Sequence, residues 1–193
     1  MSKSKADLRK IAKTDRNAII NRTEKNCKIR EKVLNLLYER NVRTLFCYVS
    51  FGGEVDTIKL IREVFGKIEV FVPYTYDGKM FPVRLDSPDR LFAVDKQGNV
   101  YRRGEPTDAL NILSVGVNGR YCVDATIVPM LAFNDELYRL GYGGGYYDKF
   151  FAECDTEKIG VAFDEQKTID LDAENYDIAL DAIVTQSKIL RRQ

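Results

Sequence analysis

Residues able to do chemistry are concentrated between Arg139 and Phe151, in the stretch RLGYGGGYYDKFF. Four of the five positions from 141 to 145 are glycine (Gly141, Gly143, Gly144 and Gly145), with Tyr142 set among them. Glycine loses more backbone freedom on folding than any other residue, so such a cluster needs a reason. One reason is a sharp turn with positive φ angles; another is an anion that must lie against bare N–H groups. Tyr146, Tyr147, Asp148, Lys149, Phe150 and Phe151 then read as the opening of a helix, and a helix start attracts anions. The spacing excludes a P-loop, which needs Lys and then Ser or Thr where Tyr146 and Tyr147 stand. It also disfavours the dinucleotide fingerprint, which needs a glycine at position 146 and a strand just before the turn. Here Asn134-Asp135-Glu136 reads instead as a polar loop. A plain strand-to-helix turn and an anion cradle both stay open.

The 193 residues contain no histidine. That removes Ser-His-Asp and Cys-His nucleophilic catalysis, the usual imidazole base, and most transition-metal sites. Carboxylates, lysine, arginine, backbone dipoles or a hard cation must do whatever chemistry there is. Cys27, Cys47, Cys122 and Cys154 are far apart, with no C-x-x-C pair, and read as reduced thiols of a cytoplasmic protein rather than a zinc site. No apolar run approaches membrane-spanning length, and MSKSKADLRK lacks the apolar core of a signal peptide. The net charge of +1 hides an asymmetry. Residues 1 to 43 hold thirteen Lys or Arg against five Asp or Glu, net +8, and the remainder seventeen against twenty-four, net −7. A basic arm of this kind can bind nucleic acid, or it can supply cations to a polyphosphate held by the acidic body.

The longer segment VPMLAFNDELYRLGYGGGYYDKFF, Val128 to Phe151, resembles the signature of the 5-formyltetrahydrofolate cyclo-ligases, also called methenyltetrahydrofolate synthetases. The match runs without a gap; Asn134 stands where the family usually has Asp, at a position read here as loop-forming. Lys5-Ala6-Asp7-Leu8-Arg9 resembles the family's opening Lys-x-x-Leu-Arg, and Glu54 with Thr57 its Glu-x-x-Thr. The resemblance implies an enzyme that closes 5-formyltetrahydrofolate to 5,10-methenyltetrahydrofolate with ATP as co-substrate, releasing ADP and phosphate through a phosphorylated formyl group, an imidate phosphate. It implies ATP contacts from Lys5, Arg9, Arg139, Leu140, Gly141, Tyr142, Gly143, Gly144, Gly145, Tyr146 and Tyr147. Folate contacts are implied for Val49, Glu54, Tyr142, Gly143, Gly144, Gly145 and Tyr146, and catalytic roles for Arg139 and Tyr146. Asp148 and Asp181 are implied as holders of Mg2+. The implied partners are ATP and the folate, with or without a polyglutamate tail, acting on a monomer that engages neither nucleic acid nor membrane. The residues alone leave other readings: a solvated charged face for Lys5 and Arg9, a first-turn acid for Glu54 and Asp148, a turn residue for Asp181. At the level of function, the alternative is a folate- or nucleotide-binding relative of the same fold without this activity.

The elements that must position these residues follow from periodicity. A helix is expected from Lys3 to about Ile20 on the spacing of Leu8, Ile11, Ala12 and Ile19, with Lys5 and Arg9 on one side of it. A second is expected from Thr23, as N-cap, to about Arg40, burying Ile29, Val33, Leu36 and Leu37. Thr44–Ser50 reads as a central strand and Asp56-Thr57 as the cap of a helix reaching Phe65, with Gly66 as its stop. Further strands are expected at Ile68–Tyr74 and at 80–85 after an Asp77-Gly78 turn, then at Val123–Val128, Lys158–Phe163 and, as the last, Ala182–Thr185. Ser87-Pro88-Asp89 reads as the start of a short helix, and Asp95–Pro106 as irregular, with Phe81, Tyr101 and Glu105-Pro106 near a pocket. Strands alternating with helices predict one α/β domain over residues 1–193: a three-layer, Rossmann-like sandwich with a mostly parallel open sheet, helices on both faces, and a basic helical arm at about 1–43.

Overall fold

The computed structural model describes residues 4–89, 113, 120–169, 171, 173–174 and 177–192; the expectations for Tyr101 and Glu105-Pro106 lie outside them. The chain opens with α1 (Lys5–Ala18), whose N-cap Ser4 accepts the Asp7 N–H. Leu8 is buried against Ala132, Leu140 and Leu171, but Ile11, expected in the buried stripe, is exposed. Then comes α2 (Arg22–Glu39), which buries Ile29, Val33, Leu36 and Leu37 as the heptad-like spacing requires. Its N-cap is Asn21 at φ 55, two residues before the expected Thr23; asparagine tolerates this left-handed conformation better than most residues.

Strand β1 (Thr44–Cys47) is shorter than the apolar run that announced it. The backbone leaves the sheet after Cys47 because Thr57 captures it: the Thr57 hydroxyl donates to the Tyr48 carbonyl and accepts the Ser50 N–H. That ties the end of β1 to the start of α3 (Ile58–Val64), whose first turn is capped by Asp56 Oδ1 accepting from Ile58 and Lys59. β2 (Glu69–Tyr76) and β3 (Lys79–Arg84) form a hairpin closed by Asp77 and Gly78, both at positive φ. β4 (Tyr121–Val128) is followed by a small hairpin, β5 (Ala132–Phe133) and β6 (Arg139–Leu140), where the sequence suggested only a polar loop. Asn134 closes this hairpin by accepting the Tyr138 N–H and donating to the Leu171 carbonyl, so its role is loop-forming. After the glycines come α4 (Tyr146–Glu153), then β7 (Cys154–Val161) and β8 (Ala182–Val184). A further strand follows, β9 (Ile189–Arg191), so Ala182–Thr185 is not the last.

The main sheet runs β3-β2-β1-β4-β7-β8-β9, parallel from β2 to β8 and antiparallel at both edges. Side chains alternate across it, so Leu45 and Cys47 face α2 and α3 while Phe46 faces α4. On the α4 side, Phe150 and Phe151 pack with Phe46, Phe71, Val123 and Ile183; burying each such side chain is worth about 2–3 kcal/mol. Helices on both faces of a mostly parallel sheet make the expected three-layer α/β sandwich. From β1 the chain turns to β2 on one side, and β4 then leads to β7 and β8 on the other. The strand order therefore reverses between β1 and β4, and the crevice beyond their carboxyl ends is where folds of this kind bind ligands.

Candidate active site

A cleft of about 860 Å³ opens at that crevice. Its floor is Tyr48 and Val49, directly after β1, and Pro129, directly after β4. One wall is the turn between β1 and α3. Gly52, at φ +57, bends this turn, and Gly53 lets α1 approach: a Cβ there would stand 2.4 Å from the Asn17 side chain. Glu54 follows and points inward, 7 % exposed, accepting the Phe51 N–H at 3.1 Å on Oε2.

The opposite wall is the glycine loop between β6 and α4. Gly143 and Gly145 take φ of +101° and +64°, which answers the turn reading. Yet Gly144 is not in that region. A side chain there would collide with the Tyr146 ring at 2.7 Å, so its bareness keeps room for that ring. Gly145 is the N-cap of α4 and no side chain caps the helix, leaving the N–H groups of its first turn open to a ligand. Tyr146, more than a third exposed, stands at this opening. Tyr147 turns its ring onto Phe46 and Phe151.

α1 lies along the glycine loop and delivers its cations inward. Arg9 Nε donates to the Gly141 carbonyl at 3.0 Å, and its guanidinium carbon lies 3.3 Å from where a Cβ on Gly143 would sit. Lys5 also lines the cleft but is engaged by Asp177 at 2.7 Å and Glu174 at 3.0 Å. Arg139 lines it too, with its guanidinium donating to Asp148 at 2.9 Å and to the Ile178 carbonyl at 3.0 Å. The two walls touch through Tyr142, whose hydroxyl donates to Glu54 Oε1 at 2.6 Å while its ring stacks on Phe51. Burial raises the Glu54 pKa, against the Tyr142 and Phe51 hydrogen bonds and the Arg16 charge, which lower it. Burial and the neighbouring carboxylate together push the Tyr142 phenol upward.

Of the residues singled out in the sequence, Lys5, Arg9, Val49, Glu54, Leu140, Tyr142, Arg139, the four glycines, Tyr146, Tyr147 and Asp148 all line this one cleft. Asp181 is elsewhere. It immediately precedes β8, where its carboxylate accepts the Lys158 N–H at 2.8 Å and pairs with Lys158 Nζ at 2.9 Å. Asp148 lines the cleft and Asp181 does not, and no group of three or more metal-ligating side chains occurs among the described residues. Asp148, a hard oxygen donor on the cleft wall, fits a magnesium ion. Sequence reasoning missed Arg16, buried beneath Tyr142, although its place seven residues after Arg9 puts it on the same helix face. It also gave no role to Lys149, which lies within the glycine-rich stretch itself, or to Asp177, whose surroundings gave no pattern to read.

An open α/β sheet with its cleft at the switch point, walled by a glycine loop and a buried carboxylate, defines a nucleotide- or cofactor-binding class of protein. The comparisons narrow it. The model of the 5-formyltetrahydrofolate cyclo-ligase family matches residues 1–186. The Escherichia coli (strain K12) 5-formyltetrahydrofolate cyclo-ligase is 31% identical over 155 residues, covering 76% of this chain and 79% of that one. The Saccharomyces cerevisiae protein of the same name is 30% identical over 173 residues, covering 81% and 82%. The solved 5,10-methenyltetrahydrofolate synthetase of Aquifex aeolicus superposes with a TM-score of 0.72 at 28% identity, over 97% of this chain and 92% of that one. The chain belongs to the 5-formyltetrahydrofolate cyclo-ligase family, and so to the ligases.

Proposed function

We propose that this chain converts 5-formyltetrahydrofolate and ATP to 5,10-methenyltetrahydrofolate, ADP and phosphate. The observation that carries the reading is the single cleft in which open helix-start amides and Arg9 face a buried carboxylate across a gap bridged by one tyrosine. The amides and the cations suit a polyphosphate; the carboxylate suits a pterin, whose amino and amide N–H groups can give it two parallel hydrogen bonds.

In this reading the formyl oxygen attacks the γ-phosphorus and ADP leaves, forming the imidate phosphate. The side-arm nitrogen then attacks the formyl carbon, the C–O bond breaks as phosphate departs, and that nitrogen loses its proton. A formamide oxygen is a poor leaving group and a phosphate a good one, so positioning and charge neutralisation suffice without histidine. The amides at Gly141, Gly143, Gly144 and Gly145 hold the phosphates between Leu140 and Tyr147. Lys5 and Arg9 offset their charge, Lys5 by exchanging its carboxylate partners for the nucleotide. Tyr146 stands where γ-phosphate and formyl group meet, and Arg139 fixes Asp148 beside them. Val49 and Glu54 receive the pterin. Asp148 would hold the magnesium ion that accompanies the nucleotide, and the ion would help to neutralise the phosphate charge. Cys27, Cys47, Cys122 and Cys154 are all free thiols, which fits a reducing compartment such as the cytoplasm.

The product absorbs in the near ultraviolet where the formyl substrate does not. ATP-dependent growth of that band with purified protein is expected. A folded protein that binds both ligands and never produces the band would be a binding relative, and the proposal would fail.

A further inference from the structure

Arg16 is the buried charge that the proposed reaction leaves without a task. It is 3 % exposed, in the last turn of α1. A guanidinium is costly to take out of water, and one kept inside usually has its donors satisfied. Here one Nη reaches the Met130 carbonyl at a long 3.4 Å, and Nε finds no hydrogen-bond partner among the described residues. Anchoring α1 does not explain this, because Asn17 packing on Gly53 and Arg22 bonding the Gly53 and Glu54 carbonyls already hold that corner. What Arg16 does face is the bridge across the cleft. Its guanidinium lies 5.4 Å from the centre of the Tyr142 ring, and its positive charge acts on Glu54.

We propose that Arg16 is a positioning residue for the folate head: packed on the ring of Tyr142, which bridges to Glu54, it holds that carboxylate in place so that the substrate's ring N–H groups can replace the Tyr142 hydroxyl there. This rests on the function proposed above. Tyr142 acts as a place-holder, giving Glu54 the donor it needs while the cleft holds no folate. The groups facing Glu54 set its charge from every side. Tyr142 comes from the glycine loop, the Phe51 N–H from its own turn and Arg16 from α1, while Arg22, on α2, reaches the Glu54 backbone carbonyl. Tyr48, after β1, and Tyr147, on α4, are phenols that burial, with the Glu54 charge added to it, holds in the neutral form. Among the groups whose influence reaches the carboxyl, Arg16 supplies the positive charge that opposes burial.

The test is a carboxyl 13C NMR titration of glutamate-labelled protein, with the Glu54 signal assigned by its loss in Glu54→Gln. Arg16→Met is expected to move the Glu54 midpoint upward by about one pH unit or more. In the absorbance assay it is expected to raise KM for the folate about tenfold, leaving KM for ATP within about twofold, with Arg16→Lys restoring most of the loss. An unmoved midpoint, or equal rises in both KM values, overturns the proposal. If Arg16→Met does not fold, Arg16→Gln, polar but uncharged, takes its place: a midpoint raised by about one pH unit supports the assignment, and an unmoved one overturns it. A wild-type protein without turnover counts against the function, whereas the carboxyl titration needs no substrate and judges Arg16 by itself.

Discussion

Glu54 is a carboxylate held where a neutral group would be more comfortable. Its pKa is raised by burial in spite of two hydrogen bonds and a nearby guanidinium. The folded state therefore binds a proton more readily than the unfolded chain does, and this residue's contribution to stability falls as pH rises through its folded pKa. Glu54→Gln keeps both contacts, since its amide can accept from Phe51 and donate to the Tyr142 oxygen. The variant is expected to melt at the wild-type temperature or a few degrees above it at pH 7, an advantage that shrinks as pH falls toward 4. Its KM for the folate is expected to rise at least about tenfold, because one neutral amide cannot match a carboxylate facing two N–H donors. Melting curves across that pH range, with kinetics at pH 7, check both; a variant that melts lower at neutral pH and higher in acid contradicts the sign.

At the level of the element, the glycine loop works by what it lacks. Gly144→Val places a side chain into the Tyr146 ring, which must swing out and across the open first turn of α4. KM for ATP is expected to rise at least tenfold, about 1.4 kcal/mol, with little change in melting temperature; unchanged nucleotide affinity would reduce the loop to a turn. This element was legible in advance because glycine clusters leave few interpretations. Strands β1, β2, β4 and β7 were legible as apolar runs, although β1 ends early for a reason visible only in three dimensions, the Thr57 side chain. β9 escaped notice because Ile189-Leu190-Arg191 is three residues long and follows charged and polar neighbours. Arg16 escaped for a subtler reason. A cation on a helix is normally solvated, and nothing local distinguishes it from Lys10 or Lys13, which are; its fate is decided by a loop more than a hundred residues away.

Across the whole molecule, the two aspartates that the family resemblance joins keep different company. Asp148 lies in the cleft beyond the carboxyl ends of the strands, and Asp181 sits at the amino-terminal end of β8. Asp148→Asn is expected to raise the magnesium concentration for half-maximal turnover severalfold. Asp181→Asn is expected to leave it unchanged while lowering stability by about 1 kcal/mol, or roughly 2–4 °C, through its weakened hold on Lys158. Magnesium titrations of the two variants side by side measure this, and an equal shift in both would place Asp181 at the ion after all. The stripe on α1 has a consequence at the same scale. Lys5 meets Asp177, Arg9 meets Gly141 and Arg16 meets Met130, at separations of 172, 132 and 114 residues. On the ribosome that helix emerges more than a hundred residues before the partners on which it docks. Synthesis of the final third thus turns a free cationic segment into part of a binding wall, and competence to hold nucleotide arrives late and all at once.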